Sequence, residues 1–161
     1  MRKAEFVPEF VYVIYIQSTP EKIWEALIDP EMTKEFWGRH QNRSDWKPGS
    51  EWRHVNYDDA TDIAVAGTVV ESEPPRRLVL TWGRPLVLTW GRPNETDVSR
   101  VTFEIEDCMG SARLTVTHNE LSPKMLSNIS AGWPAVLSSL KSLLETGASL
   151  PMTRRQWKKA S

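Results

Sequence analysis

Between Ser50 and Glu120 the chain passes through five β-like segments with no helical one between them: SEWRHVNY, DIAVAGTVVESE, LVLTW, SRVTFEIED and ARLTVTHNE. Each is short and bounded by Pro, Gly, Asn or Asp. Parallel neighbours would need crossover helices, which this stretch lacks, so the order predicts an antiparallel meander. A sheet with one apolar face needs a cover. The region after Leu121-Ser122-Pro123 supplies it, a helix over about 123–146 with an apolar stripe at Val136, Leu137, Leu140, Leu143 and Leu144. Gly132-Trp133-Pro134 is expected to kink or divide that helix, and Gly147 to stop it.

Upstream, FVYVIYIQ (10–17) reads as a first strand with both faces at least partly covered. A helix follows at once in STPEKIWEALID. Either Thr19 is its N-cap with Pro20 at the first helical position, or Ser18 is the cap with Glu21 closing a capping box. Ile23, Ala26 and Leu27 form its stripe, Trp24 and Ile28 flank it, and Asp29-Pro30 ends it. PEMTKEFWG is a second short helix that carries Phe36 and Trp37 to a glycine stop. The expectation is an α+β domain over 1–147: a curved antiparallel sheet of about six strands around a long C-terminal helix, with two short helices after the first strand. Residues 148–161, ASLPMTRRQWKKAS, read as a loosely held tail.

The octapeptide LVLTWGRP occurs twice, at 78–85 and 86–93. Eight is even, so either copy presents the same side chains to the core. Copy one follows Pro74-Pro75-Arg76-Arg77 by a short connection, whereas copy two would force that connection to absorb the first copy. The loop after the strand is already long, and lengthening it costs only about 0.6 kcal/mol per doubling. Copy one is therefore expected in the sheet. Copy two would extend the hairpin or pack on a neighbouring chain, and left bare it is an association-prone edge, so both a monomer and a homodimer are open.

Composition excludes several functions. Hydrophobic residues are 40%, charged residues 25% and the net charge is −1, which offers no field for nucleic acid or an anionic membrane. No run approaches the roughly 20 apolar residues needed to span a bilayer. Pro8 and Glu9 interrupt the N-terminal apolar run and no small-residue cleavage site follows, while the single Cys108 forbids an internal disulfide; together these read as cytoplasmic. His40, His54 and His118 are too dispersed for a metal signature, and no nucleophile elbow, phosphate loop or dinucleotide fingerprint occurs, so neither metal nor cofactor is expected. Glu104 and Glu106 alternate with Phe103 and Ile105 and should share a solvated face, not form an acid–base dyad. Asp58, Asp59 and Asp62 fit a hairpin tip, and the basic run Arg154–Lys159 a solvated end. No residue is nominated as catalytic.

Eight Trp residues suit either a generous core or the wall of an apolar pocket. Strand alternation groups Trp52 with His54, Leu78 with Leu80 and Trp82, and Val101 with Phe103 and Ile105. These faces would meet Trp133, Val136, Leu137 and Leu140 of the last helix, with Trp37 near one mouth. The candidate ligand-binding set is Trp37, Trp52, His54, Leu80, Trp82, Phe103, Trp133 and Leu137; the alternative is that they are simply core. A buried His54 needs a partner, either a polar group of the protein or one on a ligand.

The chain resembles a known family in VYVIYIQSTPEKIWEALIDPEMTKEFWG (11–38), in Gly67-Thr68-Val69-Val70-Glu71 with Pro75-Arg76-Arg77-Leu78 and Trp82, in LTVTHNEL (114–121) and in GWPAVLSSLKSLLE (132–145). These are similar to the START-like (SRPBCC) superfamily of the birch-pollen-allergen fold, in the branch of the C-terminal domain of the activator of the ninety-kilodalton heat-shock-protein ATPase. Relatives have one copy of the LVLTW strand where this chain has two. The resemblance implies a helix-grip fold, a sheet gripping the C-terminal helix around an apolar cavity, and a non-catalytic protein for a small hydrophobic or amphipathic ligand. It leaves open a chaperone-associated module with a protein partner, as eukaryotic relatives are, and a cyclase- or aromatase-like enzyme.

Overall fold

The structure is a computed structural model, and it describes residues 9–83 and 98–157. The order is β1 (Phe10–Ile16), α1 (Pro20–Ile28), α2 (Pro30–Phe36), β2 (His40–Ser44), β3 (Glu51–Asn56), β4 (Asp59–Glu73), β5 (Arg77–Trp82), β6 (Ser99–Cys108), β7 (Ser111–Asn119) and α3 (Pro123–Thr146), then a 3-10 turn at Pro151–Thr153. The strands form one curved antiparallel sheet in the order β1-β7-β6-β5-β4-β3-β2. Its architecture is α+β, as the order of segments predicts.

Local chemistry accounts for the boundaries. Thr19 caps α1, its Oγ1 accepting from the Lys22 N–H at 3.2 Å, with Pro20 at the first position; the Ser18 alternative is not the one adopted. Asp29 serves two helices. Its N–H donates to the Glu25 carbonyl at 2.8 Å to close α1, and its carboxylate accepts from the Glu31 N–H at 3.0 Å to open α2. The β6–β7 hairpin turns through Met109 and Gly110, both at positive φ (55° and 92°), the geometry of a tight two-residue hairpin. Gly147 closes α3 at φ 84°, its N–H on the Leu143 carbonyl at 2.9 Å.

The inner face follows from alternation. Ala112, Leu114, Val116 and His118 are buried on β7, and Ser99, Val101, Phe103 and Ile105 on β6. Trp133, Val136, Leu137 and Leu140 of α3 join the same core. Copy one of the octapeptide occupies β5, with Leu78 opposite Phe103 and Leu80 opposite Val101. Copy two lies outside the described residues, as do 158–161 of the basic end.

Four features depart from the sequence reading. β2, His-Gln-Asn-Arg-Ser, is a strand with no apolar alternation, held by pairing with β3, and it raises the strand number to seven. Pro134 does not divide α3, which runs unbroken from Pro123 to Thr146. Val11, Val13 and Tyr15 of β1 are about half exposed, because they point away from the face on which the helices pack. The strand's edge is nonetheless guarded from α3: Lys141 Nζ donates to the Tyr15 carbonyl at 2.6 Å, and Glu145 accepts from the Gln17 N–H at 2.7 Å. The segment after α3 is anchored: Ser139 Oγ accepts from the Leu150 N–H at 2.8 Å and bonds Thr153 Oγ1 at 2.6 Å, and Gln156 donates to Asn56 Oδ1 at 2.7 Å.

Candidate functional site

All eight nominated residues are buried, and seven of them lie in the main hydrophobic cluster. Their rings converge. Trp37 lies 4.8 Å from His54, 5.3 Å from Trp133 and 6.3 Å from Trp82, centroid to centroid. Trp82 reaches Trp52 at 5.5 Å and Trp133 at 5.6 Å, and Trp133 meets Phe103 edge-on at 5.8 Å. Trp37 holds its place as the residue that ends α2, its N–H on the Thr33 carbonyl at 3.0 Å. Behind it Gly38, at φ 60°, is packed by the Trp157 ring, 3.0 Å from where a Cβ would stand.

Gly67 sets the spacing of the floor. A Cβ there would lie 2.0 Å from the Thr81 carbonyl oxygen, so only glycine lets β4 and β5 cross this closely. The close approach is used by Trp52, whose indole N–H donates to that same carbonyl at 2.7 Å. Thr81 Oγ1 accepts from the Thr68 N–H at 2.7 Å.

The structure brings into this cluster three groups that the sequence left scattered. His40 stacks on His54 at 4.8 Å, with ring planes 13° apart, and His118 lies 5.3 Å from Trp82 and 6.1 Å from Trp133. The signal for His118 was available: strict alternation along ARLTVTHN places it on the same face as Leu114 and Val116. For His40 and Asn42 there was no comparable signal, since β2 is polar throughout.

The hydrogen bonds of His118 resolve its proton. The Trp133 indole N–H can only donate, so His118 Nδ1, 3.1 Å away, accepts. Ser99 Oγ lies 3.2 Å from the Trp82 carbonyl, which can only accept. The serine proton is therefore committed there, and Ser99 Oγ accepts from His118 Nε2–H at 2.7 Å. Burial pushes the imidazole pKa down to about 4, which agrees with a neutral ring. A serine within hydrogen-bond reach of a histidine invites comparison with a nucleophile and its base, but the polarity here is reversed. The imidazole already carries its proton on the nitrogen facing the serine, and the opposite nitrogen meets a donor where a triad has an acceptor. The chain Trp133, His118, Ser99, Trp82 is a satisfied relay that ties α3 to β7, β6 and β5.

His54 is arranged differently. The Leu27 carbonyl accepts from Asn42 Nδ2 at 2.9 Å, which fixes the amide so that Oδ1 faces His54 Nδ1 at 2.7 Å and accepts its proton. Burial, and secondarily the charge of nearby His40, hold the His54 pKa well below its ordinary value. The neutral ring then has a lone pair at Nε2, and no described residue donates to it. His40 Nδ1 in turn donates to the Gly38 carbonyl at 2.7 Å.

Two outer-surface features contribute no free chemistry. Glu104 and Glu106 are exposed and lie in ion pairs with Arg77 (3.3 Å) and Arg113. A cleft of about 160 Å³ beside them is lined by Glu73, Arg76, Arg77, Glu104, Ile105 and Glu106, and its charged side chains all lie in ion pairs. Among the described residues, no group of three or more His, Cys, Asp or Glu is placed to hold a metal ion, and no helix is long and apolar enough to cross a membrane.

A curved antiparallel sheet closed over a C-terminal helix, with two short helices after the first strand, is the helix-grip architecture of START-like proteins. The chain belongs to the family described as activator of Hsp90 ATPase homolog 1-like protein, whose profile matches residues 17–145. No curated protein matches it in sequence. Among solved structures it is similar to CalU16 from Micromonospora echinospora (18% identity, 90% of this chain and 70% of that one, TM-score 0.70). Protein SSP2350 from Staphylococcus saprophyticus is similar at 21% identity over 89% of this chain and 96% of that one, TM-score 0.68. The Aha1 dimer from Colwellia psychrerythraea is similar at 19% identity over 87% and 98%, TM-score 0.65. At these identities the likeness is one of fold.

Proposed function

We propose that the protein is a non-catalytic binding protein that holds a small hydrophobic or amphipathic molecule between the sheet and α3, against Trp37, Trp52, His54, Leu80, Trp82, Phe103, Trp133 and Leu137. The observation that carries this reading is the convergence of Trp37, Trp52, Trp82, Phe103 and Trp133 from α2, β3, β5, β6 and α3 into one aromatic wall beside the buried His54. Since the rings touch one another, entry on this reading requires Trp37 to swing out from the end of α2. The free thiol of Cys108 suits a cytoplasmic setting.

An environment-sensitive apolar dye should bind the folded protein saturably at one site, and Leu137→Trp, which puts a larger side chain into the same wall, should weaken it. Absence of dye binding, or binding indifferent to the substitution in a variant with unchanged circular dichroism, would overturn the reading and leave the aromatic cluster as core.

Membership of the Hsp90-activator-like family favours a second reading, a protein-interaction module. Native mass spectrometry of the purified protein separates the two: a co-purified apolar small molecule supports the first, a stoichiometric protein partner the second.

A further inference from the structure

We propose that residues 149–157 form a clasp on the corner between α2 and β2, and that its outer tip, Gln156 and Trp157, sets how often Trp37 leaves the aromatic cluster. The inference goes beyond the binding reading and does not rest on it, because the opening is a property of the chain alone. The corner is Trp37-Gly38-Arg39. Gly38 and Arg39 both have left-handed backbone, at φ 60° and 56°. A non-glycine residue rarely adopts that geometry, and one that does is held in it by its surroundings.

The contacts on Arg39 are the restraint. Its guanidinium donates to Asp58 Oδ1 at 2.8 Å. Its carbonyl accepts from the Tyr57 N–H at 3.0 Å and from Gln156 Nε2 at 3.1 Å. Gln156 also donates to Asn56 Oδ1 at 2.7 Å, so the clasp bridges the corner to the end of β3. Beside it, the Trp157 ring stands where a side chain of residue 38 would be, 3.0 Å from the Cβ position. The Trp157 indole N–H donates to the Met152 carbonyl at 2.8 Å, which turns the segment back on itself and sets the ring in place. Two indoles thus flank one glycine. Trp37 is buried among His54, Trp82 and Trp133, whereas Trp157 is 38% exposed and covers the corner from the solvent side.

The clasp has a fixed root and a releasable tip. Thr153 is fully buried, 2.6 Å from Ser139 Oγ of α3 and 3.0 Å from the Glu35 carbonyl of α2, and the Leu150 N–H donates to Ser139 Oγ at 2.8 Å. Beyond it, Gln156 and Trp157 are exposed. Local opening begins where hydrogen bonds face water and buried contacts are few. Release of the tip takes away the ring over Gly38 and one of the two donors to the Arg39 carbonyl. A corner free to leave its left-handed geometry no longer fixes Trp37 at the end of α2.

The experiment is native-state amide hydrogen exchange on the full chain, comparing the unmodified protein with Trp157→Ala and Trp157→Phe. In Trp157→Ala the amides of Trp37 and His40, bonded to the Thr33 and Trp37 carbonyls, should exchange about ten-fold faster, the equilibrium effect of one lost hydrogen bond with its ring contact. The amides of β6 and β7, and the Thr153 amide at the root, should keep their rates. Trp157→Phe, which keeps a ring over Gly38 and lacks the donor to Met152, should fall between. With fluorotryptophan incorporated, the Trp37 ¹⁹F resonance should move towards its solvent-exposed position in Trp157→Ala while those of Trp52 and Trp133 stay. Unchanged exchange at Trp37 and His40, or a stationary Trp37 resonance, would overturn the inference. So would a uniform acceleration that includes β6 and β7, since Trp157 would then be an ordinary contributor to global stability. Loss of protection at Thr153 together with the corner would overturn it as well, because the segment would open as one piece with no separate tip.

Discussion

Two buried histidines share the inner face of the sheet, each in ring contact with Trp82, and their environments are opposites. Both rings of His118's relay and its serine are satisfied: Trp133 donates to one nitrogen, Ser99 accepts from the other, and the serine proton ends on the Trp82 carbonyl. Among the described residues His54 has one hydrogen-bond partner, Asn42. A closed network rigidifies the structure that makes it and has nothing left over for chemistry or binding. The His54 network is open only in that no described residue meets its Nε2. The contrast separates a histidine bonded through both nitrogens from one held through a single nitrogen by a β2 side chain.

The substitution with the largest expected effect removes the scaffold common to both. Gly67→Ala places a methyl group 2.0 Å from the Thr81 carbonyl oxygen, and the contact is backbone, so the strands must part. Trp82, next to Thr81, would be displaced from both histidines. The cost is expected to exceed about 3 kcal/mol, in the class of overpacking against an unyielding neighbour. Urea unfolding measures it, and a loss below about 1 kcal/mol would mean that β4 and β5 can separate without harm, so that the two sites do not share this support.

A middle-sized effect distinguishes the closed histidine. His118→Phe keeps a ring but orphans the Trp133 N–H, and should cost about 2 kcal/mol. It should also change the pH dependence. Folding lowers the His118 pKa from an ordinary 6.5 to about 4, so between those values the unfolded chain binds more protons. Stability is therefore highest above pH 6.5 and falls as pH drops towards 4, with roughly 3 kcal/mol of that loss due to His118. His54, lowered as well, acts in the same direction. Urea midpoints at pH 7.5, 6 and 5 should decline steeply in the unmodified protein and more gently in His118→Phe. Parallel declines would show that His118 is not the group held neutral by the fold.

The sequence made the closed region more legible than the open one. Alternation in SRVTFEIED and ARLTVTHNE put Ser99, Phe103 and His118 on one face, and the apolar stripe of α3 brought Trp133 to meet them. The caps at Thr19, Asp29 and Gly147 were equally readable, because each rests on contacts within a few residues. The octapeptide was ambiguous by parity, and connection length, a local property, pointed to the copy that forms β5. The open region depends on β2, whose residues follow neither a two-residue nor a helical period. Its place is set by pairing with β3, which puts Asn42 opposite His54. Nothing local announces that Asn42 reaches the Leu27 carbonyl at the end of α1, fifteen residues earlier in the chain. The segment after α3 failed for the same reason: Ser149 and Thr153 look like tail residues until Ser139 and α2 are in position to bury them.

The smallest effect tests whether the two histidines are independent. His40 stacks on His54 and is one of the two causes of its lowered pKa, the lesser one, whereas burial alone accounts for His118. His40→Phe preserves the stacking ring and removes the second imidazole, at a stability cost of about 1 kcal/mol or less for its bond to the Gly38 carbonyl. An NMR pH titration should then show the His54 transition moved upward but still below 6.5, because burial persists, with His118 unmoved. A stationary His54 would mean that His40 exerts no electrostatic influence across their 4.8 Å contact. A shift of His118 would mean that the two networks are coupled through Trp82, which touches both rings, and that the two histidines are not independent.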